Sequence, residues 1–162
     1  MAAFGRLRYI LKDGTIPINL KRKVNKSCIL PVATYGFEIM TLTEKSVNRL
    51  RTTQRTMEKA MLEISLGEKI RNENIRRRTG VTDVIERIAK LKWQWVGHIG
   101  RQDRERWTIK IIMWRPRDTK RKVGRPQKRW LDDIKKVEGR HWIQNTQDRI
   151  AWKTLGEAYV QK

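Results

Sequence analysis

The chain has 162 residues, with 38 Lys and Arg against 17 Asp and Glu and a formal net charge of +21. That excess is larger than solubility demands and points to a polyanionic partner, RNA or DNA, rather than a small-molecule substrate or a membrane. The 38% apolar content and seven Trp exclude a purely solvated basic tail, and the single cysteine excludes an intrachain disulfide or a multi-cysteine zinc site.

The length fits one medium domain or two small helical subdomains sharing a seam. Cys28 is expected as a small core residue, in a reducing compartment. No apolar run reaches the length of a membrane span, and Arg6 and Arg8 interrupt the Met1 to Ile10 stretch as a secretory core. The nucleus or the cytoplasm is the expected location.

The periodicities are helical nearly throughout, which predicts an all-α fold. A first helix closes at Lys12, stopped by Asp13-Gly14 and Pro17. From Ile18 to about Met40, Leu20, Val24 and Cys28 recur every four residues, Lys21, Arg22, Lys23 and Lys26 fill the other faces, and Pro31 should kink the helix. Thr41 and Glu44 have capping-box spacing and open a helix with Val47, Leu50, Met57, Met61 and Ile64 on one face. Gly67 ends it. A short basic helix from Ile70 to Arg78 follows, closed by Gly80, and Thr82 is the expected cap of the next.

From Asp83 to about Arg101 the pattern is the most amphipathic in the chain. Val84, Ile88, Leu91, Trp95 and Ile99 form one stripe, and Arg87, Lys90, Gln94, Gly97 and Arg101 form another. Between Arg115 and Arg129, Pro116, Gly124 and Pro126 prevent a continuous helix, so the cations there read as an exposed basic loop. A helix from about Lys128 to Val137 places Trp130, Ile134 and Val137 together. After Gly139, a last helix from about Gln144 to Val160 carries Ala151, Leu155 and Ala158.

Patterns that carry chemistry are sparse. His98 and His141 have no second ligand at metal spacing, and Asp132-Asp133 falls in a predicted helix between basic residues with no third carboxylate in a matching motif. No nucleophile elbow and no phosphate-cradling glycine pattern occurs, so neither catalysis nor a cofactor is expected. The binding residues are therefore sought among the cations. They are Lys21, Arg22, Lys23 and Lys26, then Arg76, Arg77 and Arg78, then Arg87, Lys90 and Arg101. The basic loop adds Arg115, Arg117, Lys120, Arg121, Lys122, Arg125, Lys128 and Arg129, with Trp130 as a stacking or anchoring ring. Most of the seven Trp, at helical spacing, are expected inside.

Several ordered motifs carry a family resemblance. Leu20-Lys21-Arg22-Lys23-Val24, running on through Cys28-Ile29-Leu30-Pro31-Val32-Ala33-Thr34-Tyr35-Gly36-Phe37-Glu38, resembles the segment after the catalytic palm in non-LTR (LINE-type) retrotransposon endonuclease-reverse transcriptases. Gln54-Arg55-Thr56-Met57-Glu58, Ile75-Arg76-Arg77-Arg78-Thr79, Leu91-Lys92-Trp93-Gln94-Trp95-Val96-Gly97-His98 and Gly124-Arg125-Pro126-Gln127-Lys128-Arg129-Trp130 are similar to that family's carboxy-terminal signature, in the same order. So are Gln147-Asp148-Arg149, Trp152-Lys153 and Leu155-Gly156-Glu157-Ala158-Tyr159. The chain differs at Ile39-Met40, where a Thr-Trp pair is usual.

The resemblance implies a helical thumb-like bundle over residues 1–66, which grips a primer-template duplex, and a basic helical region with its loop over 67–162, which holds template RNA or target DNA. The palm's aromatic-Ala-Asp-Asp motif does not occur in this chain, nor does an endonuclease domain. The expectation is a non-catalytic, truncated copy or a piece of a longer reading frame, with the missing palm as a further partner. A repurposed DNA-binding or chromatin protein and a structural RNA-binding protein stay open as alternatives.

Overall fold

The computed structural model describes residues 2–65, 67–114, 124 and 128–160, and these residues form helices and no strand, so the fold is all-α. They group into two compact units, one of residues 1–36 and 44–88, the other of residues 37–43 and 89–162. The sequence boundary after residue 66 falls inside the first unit, because the helix that follows it packs on the helix that precedes it.

The first unit opens with α1 (Ala2–Arg6) and α2 (Arg8–Lys12), and the turn beyond is held by Asp13, whose Oδ1 accepts the Thr15 N–H and hydroxyl at 2.9 and 2.6 Å. α3 (Ile18–Val24) runs through a π-turn at Asn25–Ile29 into α4 (Leu30–Thr34). Pro31 lacks an N–H and its ring would press on the carbonyl four residues back, so the wider turn just before it, with Leu30 N–H bonded to the Asn25 carbonyl, accommodates the ring. The helix stops at Thr34 rather than near Met40: Gly36 takes a left-handed φ of 75° and a 3-10 turn, Phe37–Ile39, follows.

The expected Leu20, Val24 and Cys28 core stripe is turned around. Leu20 and Cys28 are exposed, while Lys21, Asn25 and Ile29 are buried. Lys21 goes inward because its ammonium reaches the Met61 carbonyl at 2.8 Å and satisfies an orphan acceptor at the end of α5 (Glu44–Met61). α5 starts at Glu44, two residues later than a Thr41 cap would place it, and ends at Met61 rather than at Gly67; of its expected stripe Met57 and Met61 are buried, with Gln54 and Glu58 beside them, while Val47, Leu50 and Ile64 are half-buried. Leu11, Ile29, Met57 and Met61 form the core.

α6 (Asn72–Thr79) ends on Gly80 at φ 59°, as the glycine predicts, and the Arg22 Nε donates to the Thr79 carbonyl at 2.8 Å. The cap of α7 (Val84–Gly100) is Asp83, not Thr82: its Oδ1 accepts the Ile85 and Glu86 N–H groups at 2.7 and 3.3 Å. Gln54 fastens this connection to α5, donating to the Thr82 carbonyl and accepting the Val84 N–H, both at 2.8 Å.

The second unit takes α7 from Ala89 onward, then α8 (Trp107–Met113), α9 (Asp132–Glu138), α10 (Trp142–Asn145) and α11 (Arg149–Val160). Its core is Trp93, Val96, Leu131, Ile134, Trp142 and Trp152. α9 starts four residues later than the pattern suggests, since Lys128 and Arg129 stand outside it, and Gly139 at φ 74° closes it as expected. The predicted last helix is two, α11 being capped by Asp148 Oδ1, which accepts the Ile150 and Ala151 N–H groups at 2.9 and 3.0 Å. α11 also faces the other way: Trp152 and Gly156 are buried, and Ala151, Leu155 and Ala158 are exposed.

Candidate nucleic-acid interface

α7 and α11 meet through a reciprocal clasp. Each carries a Trp followed four residues later by a Gly, Trp93 with Gly97 and Trp152 with Gly156, so ring and gap lie on one helix face. The two indoles stack with centroids 4.1 Å apart and planes 12° apart. Trp93 Nε1 donates to the Trp152 carbonyl at 2.8 Å, and Trp152 Nε1 donates to the Trp93 carbonyl at 3.1 Å. Neither glycine could carry a side chain: a Cβ at Gly97 would lie 2.6 Å from Trp152 Cδ1, and one at Gly156 2.7 Å from Trp93 Cδ1.

The clasp is the floor of a groove of about 540 Å³ whose walls are Lys90, Gln94 and His98 from α7, Arg101 just beyond its end, and Arg149, Lys153 and Glu157 from α11. Four cations thus face one carboxylate around an apolar floor. Arg101 also donates to the Thr146 carbonyl at 2.9 Å, and burial, then the neighbouring Arg149 charge, lowers its pKa. Like charges held this close gain most from an anion placed between them.

The second unit also fixes its acid pair. Lys92, buried in the fold, donates to both Asp133 carboxylate oxygens at 2.7 and 2.8 Å and to the Trp130 carbonyl. Burial lowers the Lys92 pKa, against the pull of the Asp133 hydrogen bond and charge. Tyr159 donates its hydroxyl to Asp133 Oδ2 at 3.2 Å, and burial and that carboxylate raise its own pKa. Asp132 Oδ2 accepts the Arg129 N–H at 2.6 Å. Among the described residues no three His, Cys, Asp or Glu cluster as a metal site, and no helix is long and apolar enough to cross a membrane.

The predicted contact residues fall into distinct groups. Lys21 is 3% exposed and Arg22 is committed to Thr79, so both hold carbonyls of their own unit, while Lys23 and Lys26 stand exposed. Arg76 pairs with Asp83, and Arg77 and Arg78 are exposed on α6. Arg87 is half-buried in the first unit, whereas Lys90 and Arg101 line the groove of the second. Arg115, Arg117, Lys120, Arg121, Lys122 and Arg125 lie outside the described residues. Lys128 and Arg129 are exposed. Trp130 is an internal anchor, its Nε1 donating to the Glu38 carbonyl at 2.8 Å and its ring lying 5.0 Å from the Lys92 ammonium. Arg149, Lys153 and His98 also line the groove, though none of them was among the expected contact residues.

No family model matches the chain, and no solved structure matches it. An uncharacterized transposon-derived protein of Caenorhabditis elegans is 35% identical over 130 residues, covering 78% of this chain. The similarity supports a transposon-related origin. The transposon-related chain spans 45% of the length of that relative, rather less than half.

Proposed function

We propose that the chain is the thumb and following region of a LINE-type reverse transcriptase, non-catalytic by itself, and that it holds RNA or DNA by the phosphate backbone in the α7 and α11 groove. The observation that carries this reading is the set of four cations, Lys90, Arg101, Arg149 and Lys153, around one apolar floor in a chain of net charge +21. The ordered motifs and the transposon-derived relative support the parent family. The commitment of Asp133 to Lys92 and Tyr159 and of Asp132 to a backbone N–H argues against that pair as a two-metal carboxylate site.

The test is binding of labelled RNA and DNA over a salt series. Each duplex phosphate contact contributes about 0.9 to the slope of log affinity against log salt. Replacing Lys90, Arg149 and Lys153 together by Ala should lower that slope by up to about 2.7 while helical circular dichroism is retained. Affinity independent of salt, or a slope untouched by the triple change, would overturn the groove as the binding site.

A further inference from the structure

α8 presents an apolar face to solvent. Trp107 and Ile111 stand one turn apart on α8, Trp114 follows as its C-cap residue in extended backbone, and the three are 77%, 68% and 68% exposed. Such a stripe is ordinarily buried against the core, and here Ile109 alone of α8 is buried. The stripe lines a cleft of about 690 Å³, a volume suited to small planar ligands, together with Trp95 and Leu131.

Two features give the cleft a polar character that matches one occupant. Arg129 and Lys135 lie in its wall among the indoles, and the one carboxylate there among the described residues, Asp132, is already bonded to the Arg129 N–H. The cleft and the cationic groove border the same helix: Trp95 of α7 lines the cleft, His98 lines the groove, and their ring centroids are 5.7 Å apart. Indole faces with cations alongside suit unpaired bases, since every base has a π-face and the backbone brings a phosphate with each nucleotide. A duplex keeps those faces stacked on one another, and a second copy of a chain charged +21 would be repelled.

We propose that the α8 cleft takes unpaired nucleobases by stacking on Trp107 and Trp114, so that the second unit distinguishes single strands from duplex. The proposal rests on the phosphate-binding reading of the neighbouring groove. That groove tracks the backbone; the cleft receives the bases that a flexible strand can turn outward.

The experiment compares three probes by fluorescence anisotropy: a short mixed-sequence single strand, the blunt duplex of that sequence, and an abasic strand of equal length. Changing Trp107 and Trp114 together to Ala should weaken the single strand roughly ten- to a hundredfold and leave the duplex and abasic strand within about twofold. Trp107→Phe with Trp114→Phe, which keeps flat rings, should restore most of the single-strand affinity. Equal weakening of all three probes, or weakening of none, overturns base stacking. So does sedimentation showing a wild-type dimer that the Ala variant abolishes, which would assign the cleft to a second copy. In each case the Lys90, Arg149 and Lys153 variant decides the groove separately, because its readout is the salt slope on the duplex.

Discussion

Both units engage some cations internally and expose others, and they differ in what those cations surround. In the first, Lys21 and Arg22 are bonded to helix-end carbonyls and Arg76 to the Asp83 carboxylate, so charge is consumed in joining helices. In the second, the inward cation Lys92 is matched by Asp133, and Lys90, Arg149 and Lys153 stand around a groove. Net charge therefore overstates binding capacity: what counts is which ammonium and guanidinium groups have no internal acceptor to serve.

The largest expected effect tests whether the groove depends on its floor. Trp152→Ala removes the ring that fills the space above Gly97 and the hydrogen bond it donates to the Trp93 carbonyl, while the backbone carbonyl at position 152 still accepts from Trp93 Nε1. It should cost about 3–5 kcal/mol in urea denaturation, typical of deleting a buried aromatic ring. Nucleic-acid affinity should fall with it, because the walls lose their support. A loss below about 1 kcal/mol would show that α7 and α11 are held by something other than the clasp.

A paired measurement sharpens the contrast between engaged and available cations. Lys21→Ala should cost about 1.5–3 kcal/mol, the worth of a charged hydrogen bond, and leave the salt slope of the folded protein unchanged. Lys153→Ala should do the reverse, costing within about half a kcal/mol and lowering the slope by about 0.9. Crossed results would erase the distinction between the units.

The smallest expected effect concerns an acid in the first unit. Glu58 is buried, accepts the Thr79 hydroxyl at 3.3 Å through Oε2, and has no partner for Oε1 among the described residues. Burial raises its pKa above the ordinary 4.5, with the Thr79 hydrogen bond opposing. The folded chain therefore holds this proton more tightly than the unfolded one, and the stability it contributes is complete below pH 4.5 and lost as pH climbs through the raised pKa. Glu58→Gln keeps the acceptor for Thr79 and removes the charge. Denaturation over a pH series should show a flatter profile and greater stability near neutrality; an unchanged profile would mean the carboxylate is solvated.

The helical class and several helix ends were legible in the sequence, because Gly80 and Gly139 punctuate the chain as their backbone freedom predicts. Helix faces were harder to read. Spacing alone favoured Leu20 and Cys28, yet a lysine long enough to reach the Met61 carbonyl turned α3 onto its Lys21 face. On α11 the small apolar residues Ala151, Leu155 and Ala158 drew the reading, and the true inner face, Trp152 and Gly156, left Arg149 and Lys153 unrecognised. A signal was present in the repeated Trp and Gly four residues apart on α7 and α11, since a large ring and a missing side chain in both helices are complementary shapes. Most of the basic loop, which supplied eight of the expected contact cations, lies outside the described residues.

The placement of the seven tryptophans has an optical consequence. Every one of them, from Trp93 to Trp152, belongs to the second unit, and the first contains none. Indole emission thus reports on one half of the chain alone, whereas the peptide-bond signal in the far ultraviolet reports on both. The protein carries its own internal label, and any separation between those two melting curves measures how independently its halves unfold.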